Sequence, residues 1–247
     1  MVFMSSAVEL AIQSVAGVRI ARELGVARVE LAQALALGGL TPSPATIELV
    51  VAAAADGGPE VHVLIRPRAG DFIYDEDEIA LMERDVRCAL AAGADGVVIG
   101  CQEPSGRLDR AALFRLVDAA SGASVTLHRA IDLTPDPIAS LQIARELGIQ
   151  RVLTSGGASR ASDGLDALRA LVAAAEGDIQ IMAGGGITPA DVASVSAAGV
   201  DAVHFSAKRT VHSDGTVRLG SANDGVGGYE VTDLETARAI ISALAPV

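Results

Sequence analysis

Five ionisable residues sit where a buried strand would ordinarily carry an aliphatic one: Glu9, Glu30, Arg66, His128 and His204. Each lies in a short run in which Val, Leu or Ile recurs at every second position, as in Val8-Glu9-Leu10-Ala11-Ile12 and Val61-His62-Val63-Leu64-Ile65-Arg66. Side chains alternate along a strand, so the aliphatic set takes one side and the ionisable set the other. The same rule sends Gln13, Ala11, Ala32, Leu64, Thr126 and Ser206 to the ionisable side. Charges taken out of water must be paired or they shift their pKa and neutralise. A Glu–Arg network that merely fills space is one reading. Ion pairs stabilise a core less well than apolar packing does, which favours a functional cluster.

The segments just beyond these strand ends extend the set. Arg68, Asp71, Phe72 and Tyr74 follow the third strand, Arg129 and Asp132 the fifth, and Ser155-Gly156-Gly157 the sixth. Gly184-Gly185-Gly186-Ile187-Thr188 follows the seventh, and Ser206 ends the eighth. Unhindered backbone N–H groups at Gly185 and Gly186 would suit an anion at a helix start, although a tight turn explains a glycine run equally well. The chemistry these types support is acid–base work on a small carboxylated or phosphorylated molecule. Arg66, Arg68 and Arg129 would hold the anion, with Asp71, Asp132, Ser155, His204 and Ser206 among its contacts. Glu9 or Glu30, with His128, would exchange the proton. Isomerase or lyase chemistry fits better than redox, because the chain has neither a dinucleotide fingerprint nor a CxxC pair. A divalent ion on Glu9, Glu30 and a histidine is compatible with the ligand types, and Cys101 is a candidate soft-metal ligand.

The elements that must position these groups follow from the same alternation. Strands are expected at 7–13, 28–32, 61–66, 95–100, 124–129, 151–155, 179–183 and 202–206. Helices are expected at 14–24, 43–55, 76–92, 109–120, 136–147, 163–176, 189–198 and 233–244. Gly25, Gly93, Gly148 and Gly199 each mark a helix end just before a strand. Thr134-Pro135 and Thr188-Pro189 read as helix starts, and Asp109 and Asp233 as caps. Eight β-then-α units in 247 residues imply a (β/α)8 TIM barrel forming a single domain over 1–247, with a doubly wound open sheet as the alternative. In either architecture the ligand end is the carboxyl end of the strands. The connection 207–231 is too long for a tidy barrel and suggests a lid, a binding loop or an oligomer contact.

Half of the residues are hydrophobic but only 2% are aromatic, so the core must be built from Ala, Val, Leu and Ile. A formal charge of −12 argues against a nucleic-acid or anionic-membrane surface. Two cysteines, Cys88 and Cys101, make neither a disulfide framework nor a metal knuckle. With no leader pattern and no long apolar run, a cytoplasmic protein is expected.

Six segments resemble the CutC family: Gly38-Gly39-Leu40-Thr41-Pro42-Ser43, Ile65-Arg66-Pro67-Arg68-Ala69-Gly70-Asp71-Phe72, Leu127-His128-Arg129-Ala130-Ile131-Asp132, Val152-Leu153-Thr154-Ser155-Gly156, Ala183-Gly184-Gly185-Gly186-Ile187 and Val231-Thr232-Asp233. The resemblance implies a TIM barrel, a cytoplasmic location, a homo-oligomer and a link to copper homeostasis. It also implies that copper depends on cysteines which some relatives carry at the positions of Ala11 and Ala32. Alanine offers no ligand atom, so the resemblance leaves copper as a cofactor by family name only.

Overall fold

A computed structural model describes residues 6–212 and 228–244. Eight parallel strands close into a barrel in sequential order. They are β1 (Ala7–Ile12), β2 (Arg28–Leu31), β3 (Glu60–Leu64), β4 (Gly96–Ile99), β5 (Ser124–Leu127), β6 (Arg151–Thr154), β7 (Gln180–Gly184) and β8 (Ala202–Phe205). The seven helices that link successive strands are α1 (Val15–Glu23), α2 (Pro44–Ala54), α3 (Glu76–Ala91), α4 (Arg110–Ala120), α5 (Pro137–Glu146), α6 (Leu165–Ala175) and α7 (Val192–Ser196), and α8 (Leu234–Leu244) follows the last strand. The expected (β/α)8 architecture is the one found, and the open sheet is not.

The parity of each strand decides what lies on which side. Val29, Leu31, Val63, Ile65, Val97, Ile99, Leu127, Val152, Ile181 and Val203 are fully shielded and join the helices in one continuous core. Burying each such side chain contributes about 1.5–3 kcal/mol. The inward apolar residues form two separate small groups, Ala32, Leu64 and Val98, and Leu153, Met182 and Ala202. They do not make a continuous interior, because polar residues, with Ala11 and glycines such as Gly96 and Gly184, occupy the other inward positions.

Helix starts are set by local chemistry. Asp75 and Glu78 form a reciprocal capping box on α3, Asp109 accepts from the Ala112 N–H, and Asp233 accepts from that of Thr236. Two expected starts move. Asp136, not Thr134, caps α5, since Thr134 closes a short 3₁₀ segment over Arg129–Leu133. The helix expected at 189–198 is a single five-residue turn starting at Val192, so the glycine run before it does not abut a helix N-terminus able to hold an anion. The glycines expected to end helices, Gly25, Gly93, Gly148 and Gly199, all have left-handed φ.

The long connection after β8 contains structure of its own. Lys208–His212 (β9) pairs antiparallel with Gly228–Thr232 (β10), placing Lys208 opposite Thr232. Residues 213–227 lie outside the described part. No helix among the described residues is long and apolar enough to cross a membrane.

Candidate functional site

The site is built on the register of three neighbouring strands. Glu9 on β1 aligns with Arg28 on β2 and with His204 on β8, and Ala11 aligns with Glu30. Three ionisable groups therefore share one level of the barrel, with Glu30 two residues nearer the mouth. Glu9 is fully buried between an Arg28 Nε–H donor and His204 Nδ1, the latter at 2.7 Å. The other imidazole nitrogen, Nε2, lies 3.3 Å from Glu30 Oε2. The result is a continuous line, Arg28–Glu9–His204–Glu30, that runs from the barrel interior toward the mouth.

Burial alone would raise the Glu9 carboxyl, but the His204 hydrogen bond and the charges of His204 and Arg28 outweigh it and hold the pKa at about 2. Glu30 has no such partner set. Burial pushes it up, His204 pulls it down and Glu9 pushes it up again, leaving it at about 7. Burial disfavours the His204 cation, yet the two carboxylates more than compensate and raise its pKa. The line thus sets an imidazole biased toward its protonated form against a glutamate that is poised near neutral pH to take or release a proton.

Beneath this line the barrel is plugged by Arg151, whose guanidinium donates to Thr126 Oγ1 and Gln180 Oε1, and by His62. The His62 ring fills the space a Cβ would take at Gly96. It is wholly buried with neither ring nitrogen hydrogen-bonded. Burial depresses its pKa to about 4, which keeps it neutral.

Above the line, a cavity of about 290 Å³ opens at the carboxyl end of the strands. Glu30 and His204 line one side of it, and Ala11 between them leaves room where a larger residue would fill it. Leu35, Leu64, Leu153 and Ile187 supply apolar wall. Arg66, Phe72, His128, Arg129, Gly185, Gly186, Ser206 and Lys208 complete the mouth. Arg129 donates from Nε to Asp132 and from Nη2 to Ser155 Oγ and Ala158 O, which fixes its guanidinium beside Gly185. A Cβ at Gly185 would stand 3.0 Å from Arg129 Nη1, and the φ of +115° there favours glycine.

Several groups expected to touch a ligand have other duties. Arg66 donates to the carbonyls of Leu37, Gly39 and Gly70 and stitches two loops together, so it is not a free anion clamp. Arg68 binds Glu78 at 2.5 Å and Asp71 at 3.1 Å, lies over Tyr74, and together with Asp71 stays outside the cavity wall. Asp132 accepts from Arg129, Thr154, Ser155 and Gly157, which makes it and Ser155 the buried frame of the β6–α6 loop rather than ligand contacts. Glu9 reaches the cavity only through His204. His128 does line the cavity, but burial and the nearby Arg66 charge depress its pKa to about 3, so it stays neutral instead of exchanging protons. Cys101 is buried in the helix-facing core, away from the mouth, and its thiol is pushed further up by burial.

Three residues escaped the sequence reading. Arg28 and Arg151 have the inward parity of Glu30 and Leu153 and could have been found by extending the alternation back to the first residue of each strand. Lys208 is the only lysine among 19 basic residues, and it lines the mouth, paired to Glu230 at 2.7 Å. Such isolation was the available signal.

The sequence and fold also have relatives. The CutC family model matches residues 6–209. This chain belongs to the CutC family. The CutC family protein of Xylella fastidiosa strain Temecula1 is 39% identical over 244 residues, spanning 97% of this chain and 89% of the relative. That of Sinorhizobium medicae is 50% identical over 164 residues, spanning 66% of this chain and 65% of the relative's own length. Among solved structures, the CutC protein of Streptococcus agalactiae, named for copper homeostasis, superposes with a TM-score of 0.77 at 30% identity, covering 81% of this chain and 97% of that one. An aldolase, QR15, shares the fold at 18% identity and a TM-score of 0.62.

Proposed function

We propose that this CutC family member is an acid–base enzyme for a small carboxylated or phosphorylated molecule, of isomerase or lyase type. The observation that carries the reading is the Glu30–His204 pair, backed by Glu9 and Arg28, at the edge of a cavity whose rim holds Arg129 and Lys208. A glutamate near 7 matches the demand that a general base at neutral pH be neither fully charged nor fully protonated. Arg129 and Lys208, each paired to one carboxylate (Asp132 and Glu230), still line the mouth with cationic groups in a chain whose net charge is −12, which supports an anionic ligand. A cavity of about 290 Å³ has the volume of roughly ten waters, which suits a small metabolite and not a polymer.

Copper handling, after the name of the Streptococcus relative, is the second reading. Cu(I) favours thiolate and thioether ligands. Ala11 and Ala32 lack them, Cys101 faces the helices, and the Met182 sulfur lies 3.7 Å from the Arg28 guanidinium. The group best able to hold any metal is Glu9, Glu30 and His204, which suits a harder ion. Both imidazole nitrogens already face carboxylates, so such an ion would have to displace the His204 proton. These residues do not fit a Cu(I) site.

Thermal melts with inorganic phosphate and oxalate, alongside Cu(I) titration under reducing conditions, separate the readings. Anion stabilisation that is lost in Arg129→Ala and Lys208→Ala, both still folded, supports the enzyme reading. Stoichiometric tight Cu(I) uptake, unaffected by Cys101→Ser, would overturn it.

A further inference from the structure

The cavity wall contains buried donors with no acceptor. His128 Nδ1 accepts the Ala130 N–H at 3.1 Å, which places the proton of the neutral ring on Nε2. That Nε2 is buried and unpartnered, and so is Nε of Arg66. Both side chains line the cavity. They are also neighbours: the Phe72 ring lies 4.5 Å from the His128 ring and 5.1 Å from Arg66 Cζ, centroid distances in each case. A Cβ at Gly100 would fall 2.3 Å from the His128 ring, so the bare glycine just past β4 is what lets the imidazole occupy this place.

Leaving a buried donor unsatisfied costs about 1–3 kcal/mol. Tyr74 Oη is buried and unpartnered beside Arg66 as well, but His128 Nε2 has no protein acceptor, and a bare donor in a cavity-lining side chain implies one that arrives from outside the chain. In a closed ring of eight strands β5 lies across from β1, so His128 faces the Glu30–His204 side from the opposite wall, while Arg66 stands just past the end of β3, next to the strand that carries Glu30.

We propose that Arg66 Nε–H and His128 Nε2–H receive the carbonyl oxygen of an oxo acid or oxo phosphate, whose adjacent C–H is deprotonated by Glu30. This deepens the acid–base reading and rests on it. The C–H bond breaks, its proton passes to the Glu30 carboxylate, and its electron pair forms the C–C double bond of an enolate. The carbonyl π pair moves onto oxygen, where the two N–H groups stabilise the charge. Protonation at the same carbon or, in an enediolate, at its neighbour restores Glu30 as a base. His128 keeps its proton throughout and acts as a neutral electrophile, the role that a histidine of very low basicity suits. Glu30, His128 and Arg66 are then catalytic residues, while Glu9 positions His204.

The test is solvent-deuterium wash-in at the carbon next to the carbonyl of pyruvate, 2-oxobutyrate and dihydroxyacetone phosphate, read by NMR with the full-length protein. Wild type is expected to exchange at least one of them. Glu30→Gln should abolish exchange, and His128→Leu should slow it by about 100-fold or more, the usual effect of losing one oxyanion donor. His128→Gln, which keeps an N–H donor, should recover most of that loss, which a merely structural role would not predict. In a second readout, oxalate, a planar enolate mimic, should shift the His128 Nε2–H resonance. Wild-type exchange no faster than Glu30→Gln on all three compounds, or exchange indifferent to His128→Leu, overturns the proposal. If phosphate and oxalate still stabilise the fold in that case, only this inference falls. If they do not, the anion site falls with it.

Discussion

Replacing Glu9 with Gln keeps shape and volume but removes the charge that both Arg28 and His204 face. Holding a carboxyl at about 2 instead of its ordinary 4.5 corresponds to about 3 kcal/mol of preference for the ionised form in the folded state. A second route gives a similar size: stripping one partner from a buried ion pair strands the other and costs about 3–5 kcal/mol. Glu9→Gln should therefore lose about 3 kcal/mol at pH 7. The sign of the pH dependence is fixed. Because the folded pKa lies below the unfolded one, the Glu9 contribution is complete above about pH 4.5 and fades as pH falls toward 2. The gap between wild type and variant should be widest near neutrality and narrow between pH 5 and 3. The chain has no tryptophan, so urea unfolding is best followed by far-ultraviolet circular dichroism. A loss under 1 kcal/mol at pH 7, or a gap that does not shrink in acid, would refute the argument that Glu9 is held ionised by its neighbours.

Two further outcomes follow from the same groups. His62 and His128 have folded pKa values of about 4 and 3, below the ordinary 6.5, so stability they contribute above pH 6.5 is lost as pH falls. Between 6.5 and 4.5 the raised Glu30 offsets one of these two protons, and below 4.5 Glu9 adds a third. Wild-type stability in urea should decline gently to pH 4.5 and then more steeply, at about 2.5 kcal/mol per pH unit near pH 4, because His62 is itself taking up a proton there, with His128→Gln flattening that slope by about half. Arg66→Lys keeps the charge but cannot span the carbonyls of Leu37, Gly39 and Gly70 with one fork, and should lower stability by about 2 kcal/mol in the same assay.

Much of this was readable from alternation alone. The parity rule placed Glu9, Glu30, Arg66, His128 and His204 inside one barrel because buried parallel strands leave few exceptions to it. Arg28, the first residue of the strand expected at 28–32, obeys the same rule and was passed over. What parity does not encode is partnership. Arg66 looked available for an anion because the carbonyls of Leu37 and Gly39 that occupy it come from a loop nearly thirty residues away in sequence. The charge state of His128 depends on complete burial and on Arg66, neither of which spacing reveals. Thr188-Pro189 carries the local signal of a helix start, yet the Thr188 N–H bonds Asp191 and the helix begins after that turn. Cys101 ends a strand near the mouth by position, and its outward parity puts it in the helix-facing core.

The claim on which the account rests is that His204 and Glu30 share protons near neutrality at the edge of the cavity. Nitrogen-15 NMR of the histidine side chains across pH 5–9 addresses it directly. The prediction is an imidazolium at His204 that persists above pH 6.5, titrates in more than one step, and changes its profile in Glu30→Gln. A single ordinary transition near 6.5 that ignores that substitution would contradict it.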